Sequence, residues 1–574
     1  MCQSAQGRPN GQPGTPLPGG SSVATRISAP VSSTPSEAQA LSTSRVMASL
    51  FPDGRTIAAS PEDRAGGSVR QQGWTIEAWT PPLGVDATER AATALRRLPG
   101  LAWLDSALPH PQRGRWSILA ALPRWTLSAR GRHIRRASAS GVEEFEGDPI
   151  AVAAGAIEAE QRAWETGGAP ASVSLPFVGG AIGYLGFELA RHIERLPATT
   201  LDDVGAPDLA LGWYDAALVW DGSEQRGSLA GAPEAVASLR DQLASIEGLG
   251  PLADVSASGA WAHFPESPDR LARFEPNMTR GEYLERAEAA RRYIAAGDIY
   301  QVNLSQRFCA PLPVPGFEAY RRLRRASPAP FAAYLDATDG ADAGVEVLSS
   351  SPERLLLVDG ERLETRPIKG TRPRGRDAAE DARLAAELRA SAKDAAEHVM
   401  IVDLERNDLG RIAEVGSVAV PQLARLESYS HVHHLTSSVT ARRRRGVGLD
   451  ATLRAMLPGG SISGAPKIRA LEIIDELEPT VRGVYTGAIG YFSAHGRSDL
   501  NVAIRTITVA GGRAYAHVGG AIVHDSVVEA EYRETLDKAR GMARALGVLL
   551  PDEQPPGETA PEWRVPAGAV AGVR

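Results

Sequence analysis

The sequence is short of cysteine, of lysine and of long apolar runs, and each shortage narrows what the chain can be. Two cysteines in 574 residues, Cys2 and Cys309, exclude a disulfide framework and a cysteine-built metal cluster, and they fit a reducing, cytoplasmic setting. No apolar run has the length that crosses a bilayer. A net charge of −7 gives no footing for general nucleic-acid binding, so the run RRRR at 442–445 reads as a solvated loop. Lysine is the sharpest shortage. Of 62 lysines and arginines, only Lys369, Lys393, Lys467 and Lys538 are lysine. Lys369 stands in "ETRPIKGTRPRG", surrounded by arginines. Arginine stays protonated, whereas a desolvated lysine can become a neutral amine that serves as nucleophile or base. The plain alternative is a surface lysine that survived by chance; against it, all four lysines fall within the segments singled out below.

What is present describes a globular chain, with 43% hydrophobic and 23% charged residues. Residues 1–73 are rich in Gly, Pro, Ser, Ala and Gln without periodicity and read as an extra tail. Their acid-poor, Ser/Arg-rich composition resembles a transit peptide, but an amphipathic arginine helix is missing. A first region is expected over 74–250, a loose linker over about 223–272, a second region over 273–548, and a short tail over 549–574. Thr279 followed three residues on by Glu282 predicts a capped helix. Helical spacing also covers about 377–412 and 528–547, and Asp359-Gly360 predicts a tight hairpin. Strands and helices do not alternate regularly, which predicts an α+β fold with antiparallel sheets.

Two acidic pairs carry metal chemistry in principle. Asp394 and Glu397, and likewise Glu531 and Glu534, lie three apart and so share a helical face. Each pair alone reads as solvated surface, and Glu534 has Lys538 at i+4 as an ordinary partner. Facing each other, the pairs offer hard oxygen ligands of the kind magnesium takes. "LPGGSISGAPKIRA", with Ser461, puts free backbone N–H groups at a helix start, which suits an anion; it lacks the Gly-Lys-Ser/Thr of a P-loop, and a serine-capped glycine loop fits equally. In "SHVHH", alternation points His431 and His433 to one side and His434 to the other, giving an acid/base histidine or plain surface.

Taken in order, "GDIYQVNLSQRF", "SSSPERLL", "TRPIKGTRPRG", "AEHVMIVDLERNDLGR", "LPGGSISGAPKIRA", "YTGAIGYF", "NVAIRT" and "EAEYRETLDKA" resemble the chorismate-utilising enzymes. The resemblance spans about 273–547, and within the family it is nearest to the aminodeoxychorismate synthase component I group. It implies two packed antiparallel sheets with helices outside and a magnesium-dependent chorismate site. It assigns Glu397 and Glu534 to the metal directly, and Asp394 and Glu531 through water. Tyr485, Arg505 and Lys538 would hold substrate carboxylates, helped by the backbone at Gly519 and Gly520, where the family usually has a third glycine and this chain has Ala521. Ser461 and Gln301 would line the substrate site, with Glu353 as general acid/base and His434 near the departing hydroxyl.

Three positions sort the groups within that family. Gln301 stands where water-using isochorismate synthases carry lysine, which argues for ammonia. Lys369 stands where anthranilate synthases carry alanine; in the aminating group this lysine is thought to attack C2 of chorismate. Asn303 also resembles that group. The implied activity is amination of chorismate to 4-amino-4-deoxychorismate, on the route to 4-aminobenzoate and folate. Neither cysteine has the setting of a glutaminase nucleophile, so ammonia would come from a separate glutamine amidotransferase subunit. Anthranilate synthase component I is the alternative activity, and a chorismate-binding regulatory subunit the non-catalytic one. The family's N-terminal region can hold tryptophan beside an "LLES"-like strand; here it reads "WLDSA", and Ser327 stands where asparagine is frequent.

Overall fold

The alternating segments form strands, and the strands assemble into two antiparallel sheets of 13 and 12 strands. The computed structural model describes residues 69–71, 73–81, 86–108, 114–167, 173–244, 272–337, 344–428 and 432–553. All of them fall in one compact unit spanning Ile57–Arg574. Both sheets draw on the two regions read from the sequence. In the first, Ala102–Asp105 pairs with Phe331–Asp336; in the second, Gly180–Leu185 pairs with Ala488–Ser493. The inward faces meet in a core of Ile118, Ala217, Ala333 and Val347 from one sheet and Ile182, Tyr184, Ile489 and Tyr491 from the other. Helices cover the outer faces, as Leu119, Leu218 and Leu348 pack on Leu95, Phe317 and Met542. Strands covered on both sides bury nearly every residue, and a fully buried Leu or Ile contributes roughly 1.5–3 kcal/mol. This is the α+β arrangement the sequence predicts.

Seven elements matter below. Helices Ala87–Leu95 (α1) and Gly316–Ala326 (α2) pack on the first sheet, while Ala392–Gly410 (α3) and Val528–Leu546 (α4) flank the candidate site. Strands Gln301–Pro311 (β1) and Arg513–Ile522 (β3) pair in the first sheet, and Ile368–Pro373 (β2) is an edge of the second.

Local signals hold where they are short-range. Thr279 and Glu282 close a reciprocal capping box, with the Glu282 amide donating to Thr279 Oγ1 at 3.2 Å. Gly360 turns the predicted hairpin at φ +60°. Other readings need correction. The expected linker contains a strand, Arg226–Gly231, and a helix, Pro233–Ala244. Val69–Gln71, inside the expected tail, pairs with residues 74–76; residues 1–68 lie outside the described residues. "ALGWYDAALVWDG" makes two strands that pass from one sheet to the other at Asp215. The helical pattern over 377–412 breaks at Ser391, whose hydroxyl accepts from the Asp394 amide at 3.2 Å and so restarts the chain as α3.

Candidate active site

Three of the four lysines converge on one group of carboxylates. Lys369, on β2, places Nζ 3.1 Å from Glu397 Oε2 on α3. Lys393, one helical turn before Glu397, lies 3.8 Å from Glu397 Oε1 and 3.6 Å from Glu531 Oε1 on α4. Lys538 sits 2.7 Å from Glu534 Oε1 and donates to the Gly519 carbonyl at 2.7 Å. α3 and α4 thus face each other through their acids. Burial raises the Glu531 pKa, and the charges of Glu534 and Glu397 push the same way. Glu534, whose side chain is half exposed, has its pKa lowered: partial desolvation raises it, but Lys538, Lys369 and Lys393 together outweigh that. Asp394 is turned aside, with Arg372 Nη2 donating to its Oδ2 at 3.1 Å.

The donor set suits magnesium: carboxylate oxygens from two facing helices, repelling one another, with ammonium groups supplying the balancing charge. Among the described residues, no three acidic, histidine or cysteine side chains already converge as a closed metal cage.

Glu353 is buried, and its Oε1 accepts from the Ile368 amide at 3.4 Å, directly beside Lys369. Burial pushes its pKa up to about 7, against the pull of the Ile368 amide and of Lys369 and Lys538. Ser461 Oγ is buried and faces Glu353 without a well-formed hydrogen bond. His434 is buried on the strand beside β2, its Nδ1 2.8 Å from Thr371 Oγ1. His433, on the opposite side as alternation requires, is tied to Ser428 and Asp381; His431 lies outside the described residues.

The expected substrate residues leave polar groups uncommitted. Gln301, on β1, is fully buried, and neither amide atom has a partner among the described residues. An unmet buried polar group costs about 1–3 kcal/mol, so a ligand there is the natural complement. Arg505 adopts φ +52°, and its guanidinium makes no hydrogen bond to the described chain. Burial lowers its pKa, opposed by Glu534 and Tyr485. The buried Tyr485 ring stacks on His517 at 5.3 Å. A Cβ at Gly519 would lie 2.7 Å from the Leu304 carbonyl oxygen and 3.0 Å from the Tyr485 hydroxyl, so only glycine fits. At Gly520 a Cβ would stand 3.5 Å from Glu531 Oε2 and 3.8 Å from Glu534 Oε1, which puts that backbone against the acids.

Sequence reasoning missed Lys393, although its rarity and its i+4 spacing to Glu397 were signals. It also missed Glu405. The glycine loop, read as an anion site or equally as a serine-capped loop, gives its Gly460 amide to Glu405 Oε1 at 3.1 Å, while Lys467 clamps it through Asp408 at 2.6 Å and the Pro458 carbonyl at 2.9 Å. Two cavities lie away from the lysine cluster. One of about 350 Å³ has Glu188, Arg482 and His517 on its wall, and one of about 250 Å³ borders Asp105, Ser106 and Pro330 beside the "WLDSA" strand.

Known proteins share this arrangement of sequence and fold. The profile of the chorismate binding enzymes matches residues 118–544. Aminodeoxychorismate synthase component 1 of Salmonella typhimurium is 40% identical over 472 residues, covering 81% of this chain and 97% of the relative. Its Escherichia coli counterpart is 40% identical over 462 residues, covering 80% and 96%. Anthranilate synthase component 1 of Thermus thermophilus is 44% identical over a shorter 374 residues, covering 65% and 78%. Among solved structures, anthranilate synthase component I from Streptococcus pneumoniae superposes with a TM-score of 0.64 at 33% identity, covering 76% of this chain and 93% of that one. The chain belongs to the chorismate binding enzyme family.

Proposed function

We infer that the chain aminates chorismate to 4-amino-4-deoxychorismate. The relatives matched over nearly their whole length carry that activity in their names, and one observation in the site favours it over anthranilate formation. Lys369 reaches Glu397 at 3.1 Å while the adjacent Ile368 amide touches Glu353, which puts a primary amine and a buried carboxyl side by side.

Glu397, Glu534 and Glu531 would hold magnesium, which would supply positive charge against the charge that moves through the ring. Arg505 and Lys538, with the backbone at Gly519 and Gly520, bind carboxylate groups of the substrate. Lys369 must leave its ion pair with Glu397 and give up a proton to solvent before its nitrogen lone pair is free. The amine then forms a bond to C2, the ring double bonds shift, and the C4–O bond breaks. Glu353, with its pKa near 7, donates the proton that lets that oxygen leave as water. Ammonia then forms the C4–N bond, the ring double bonds shift back, the C2–N bond to Lys369 breaks, and a proton of the added nitrogen returns to the Glu353 carboxylate. Two easier displacements replace one difficult one. His434, fixed by Thr371, stands by the departing hydroxyl. Gln301 is an amide where a water-activating lysine would otherwise stand. Ammonia comes from a glutamine amidotransferase subunit, as "component 1" in the relatives' names accords with, and the product feeds 4-aminobenzoate and folate in the cytoplasm.

Purified chain incubated with chorismate, Mg²⁺ and ammonium should release an aminated product that keeps its enolpyruvyl group, resolved by chromatography and mass. Anthranilate with free pyruvate would overturn the reading.

A further inference from the structure

Lys393 has no part in the reaction just described, yet its ammonium lies between acids of two helices, 3.8 Å from Glu397 Oε1 and 3.6 Å from Glu531 Oε1. Its side chain is 53% exposed, while those of Glu397 and Glu531 are 13% and 7% exposed. Both contacts exceed the roughly 2.7–2.9 Å of a tight charge-assisted hydrogen bond. A solvated, loosely held cation therefore spans two mostly buried anions. The other two lysines of the cluster sit closer, at 3.1 and 2.7 Å.

We propose that Lys393 is a built-in, displaceable counter-ion that sets how tightly the Glu397–Glu531–Glu534 cluster takes a divalent cation. The inference rests on the magnesium reading above. Without a metal, the facing carboxylates of α3 and α4 repel each other, and Lys393 keeps them balanced and apposed. A divalent cation brings twice the charge at shorter range and repels the ammonium, so its binding requires Lys393 to swing into solvent. An exposed side chain on the first turns of a helix can do this without disturbing the core. The consequence is a cation site that is weak on its own and strengthened by the substrate carboxylate, so that metal and substrate occupy the site together.

The test is a titration of the full chain with Mn²⁺, followed by the electron paramagnetic resonance of the free ion, at fixed pH and ionic strength, with Mg²⁺ as competitor. Wild type is compared with Lys393→Met, Lys393→Arg and Arg406→Met. Arg406 lies on the same helix, half exposed, about 20 Å further along, and controls for net charge. Lys393→Met is expected to tighten binding about fivefold to tenfold, with Lys393→Arg and Arg406→Met within about twofold of wild type. Wild-type binding with no gain in Lys393→Met overturns this inference and leaves the metal reading standing. Equal gains in Lys393→Met and Arg406→Met overturn it as a net-charge effect. No Mn²⁺ binding by any variant overturns both readings together.

Discussion

Two groups of clustered acids among the described residues are neutralised differently, one by arginines and one by lysines. In the first sheet, Glu89 of α1 accepts from Arg321 Nε at 2.6 Å, from Arg325 Nη2 at 2.7 Å and from Arg324 Nη1 at 3.0 Å, all donated by α2. Arg324 also donates to Asp105 at 2.7 Å and to Asp86 at 2.7 Å, and Tyr320 adds a hydrogen bond to Asp105 at 3.1 Å. Arg324 uses both Nε and Nη1 of its planar fork, which fixes helix, strand and turn in one geometry. At the candidate site each lysine meets the acids as a compact point charge on a flexible stem. Three of the four lysines gather at the candidate site, while the fourth, Lys467, clamps the glycine loop.

Exchanging the two chemistries gives the largest expected effect. Lys369→Arg keeps a cation beside Glu397 but removes the displaceable amine, so turnover with ammonia should fall by about 10³-fold or more, roughly 4 kcal/mol of barrier, while the melting temperature stays near wild type. The converse change, Arg324→Met, should cost about 3–5 kcal/mol in denaturant unfolding, because Asp105 is buried and loses its strongest partner. A small cost there would break the comparison by showing the arginine group to be ornamental.

Glu353→Gln should lower turnover about 10²-fold and remove the alkaline fall of the pH profile. The sign follows from the role: the acid works protonated, its pKa is raised to about 7, and wild-type turnover therefore drops as pH rises through about 7. The same shift bears on stability. Glu353 binds its proton more tightly folded than unfolded, so its stabilising contribution is present at low pH and lost as pH rises through about 7. Glu405, raised by burial and by Asp408 to about 8, acts in the same direction over a slightly higher range. Melting temperatures should fall between pH 5 and 8.5 as these groups ionise, and Glu405→Gln should flatten that fall. The smallest effect sets the scale: Thr279→Ala removes an exposed cap at a cost of about 1 kcal/mol, well below the loss expected at Arg324.

How much of this was legible depends on range along the chain. The i,i+3 acid pairs of α3 and α4, the capping box at Thr279 and the turn at Gly360 are set by residues within one or two turns, and the sequence displays them. That α3 and α4 face each other is a tertiary fact, fixed by where each helix packs, and periodicity cannot carry it. Arg372 takes Asp394 from β2, 22 positions away, and Glu405 reaches the Gly460 amide 55 positions away, so neither had a local signature. The linker reading fails over 223–244, where alanine, glycine and serine look loose by composition yet fit a strand and a helix; residues 245–271 lie outside the described residues. The passage from sheet to sheet at Asp215 was hidden because one apolar run continues on both sides of it. The motif order, by contrast, carried the family, since it depends on the chemistry of the site and not on packing.

The central claim is that Lys369 is a lysine because it forms a bond and then releases it. The most direct measurement is the intact mass of the chain mixed with chorismate and Mg²⁺ in the absence of ammonia, with peptide mapping of any modified residue. The account predicts a gain of one chorismate less one water, located on Lys369, discharged on adding ammonium and absent in Lys369→Arg. An unmodified chain, with Lys369→Arg aminating chorismate at the wild-type rate, would contradict it.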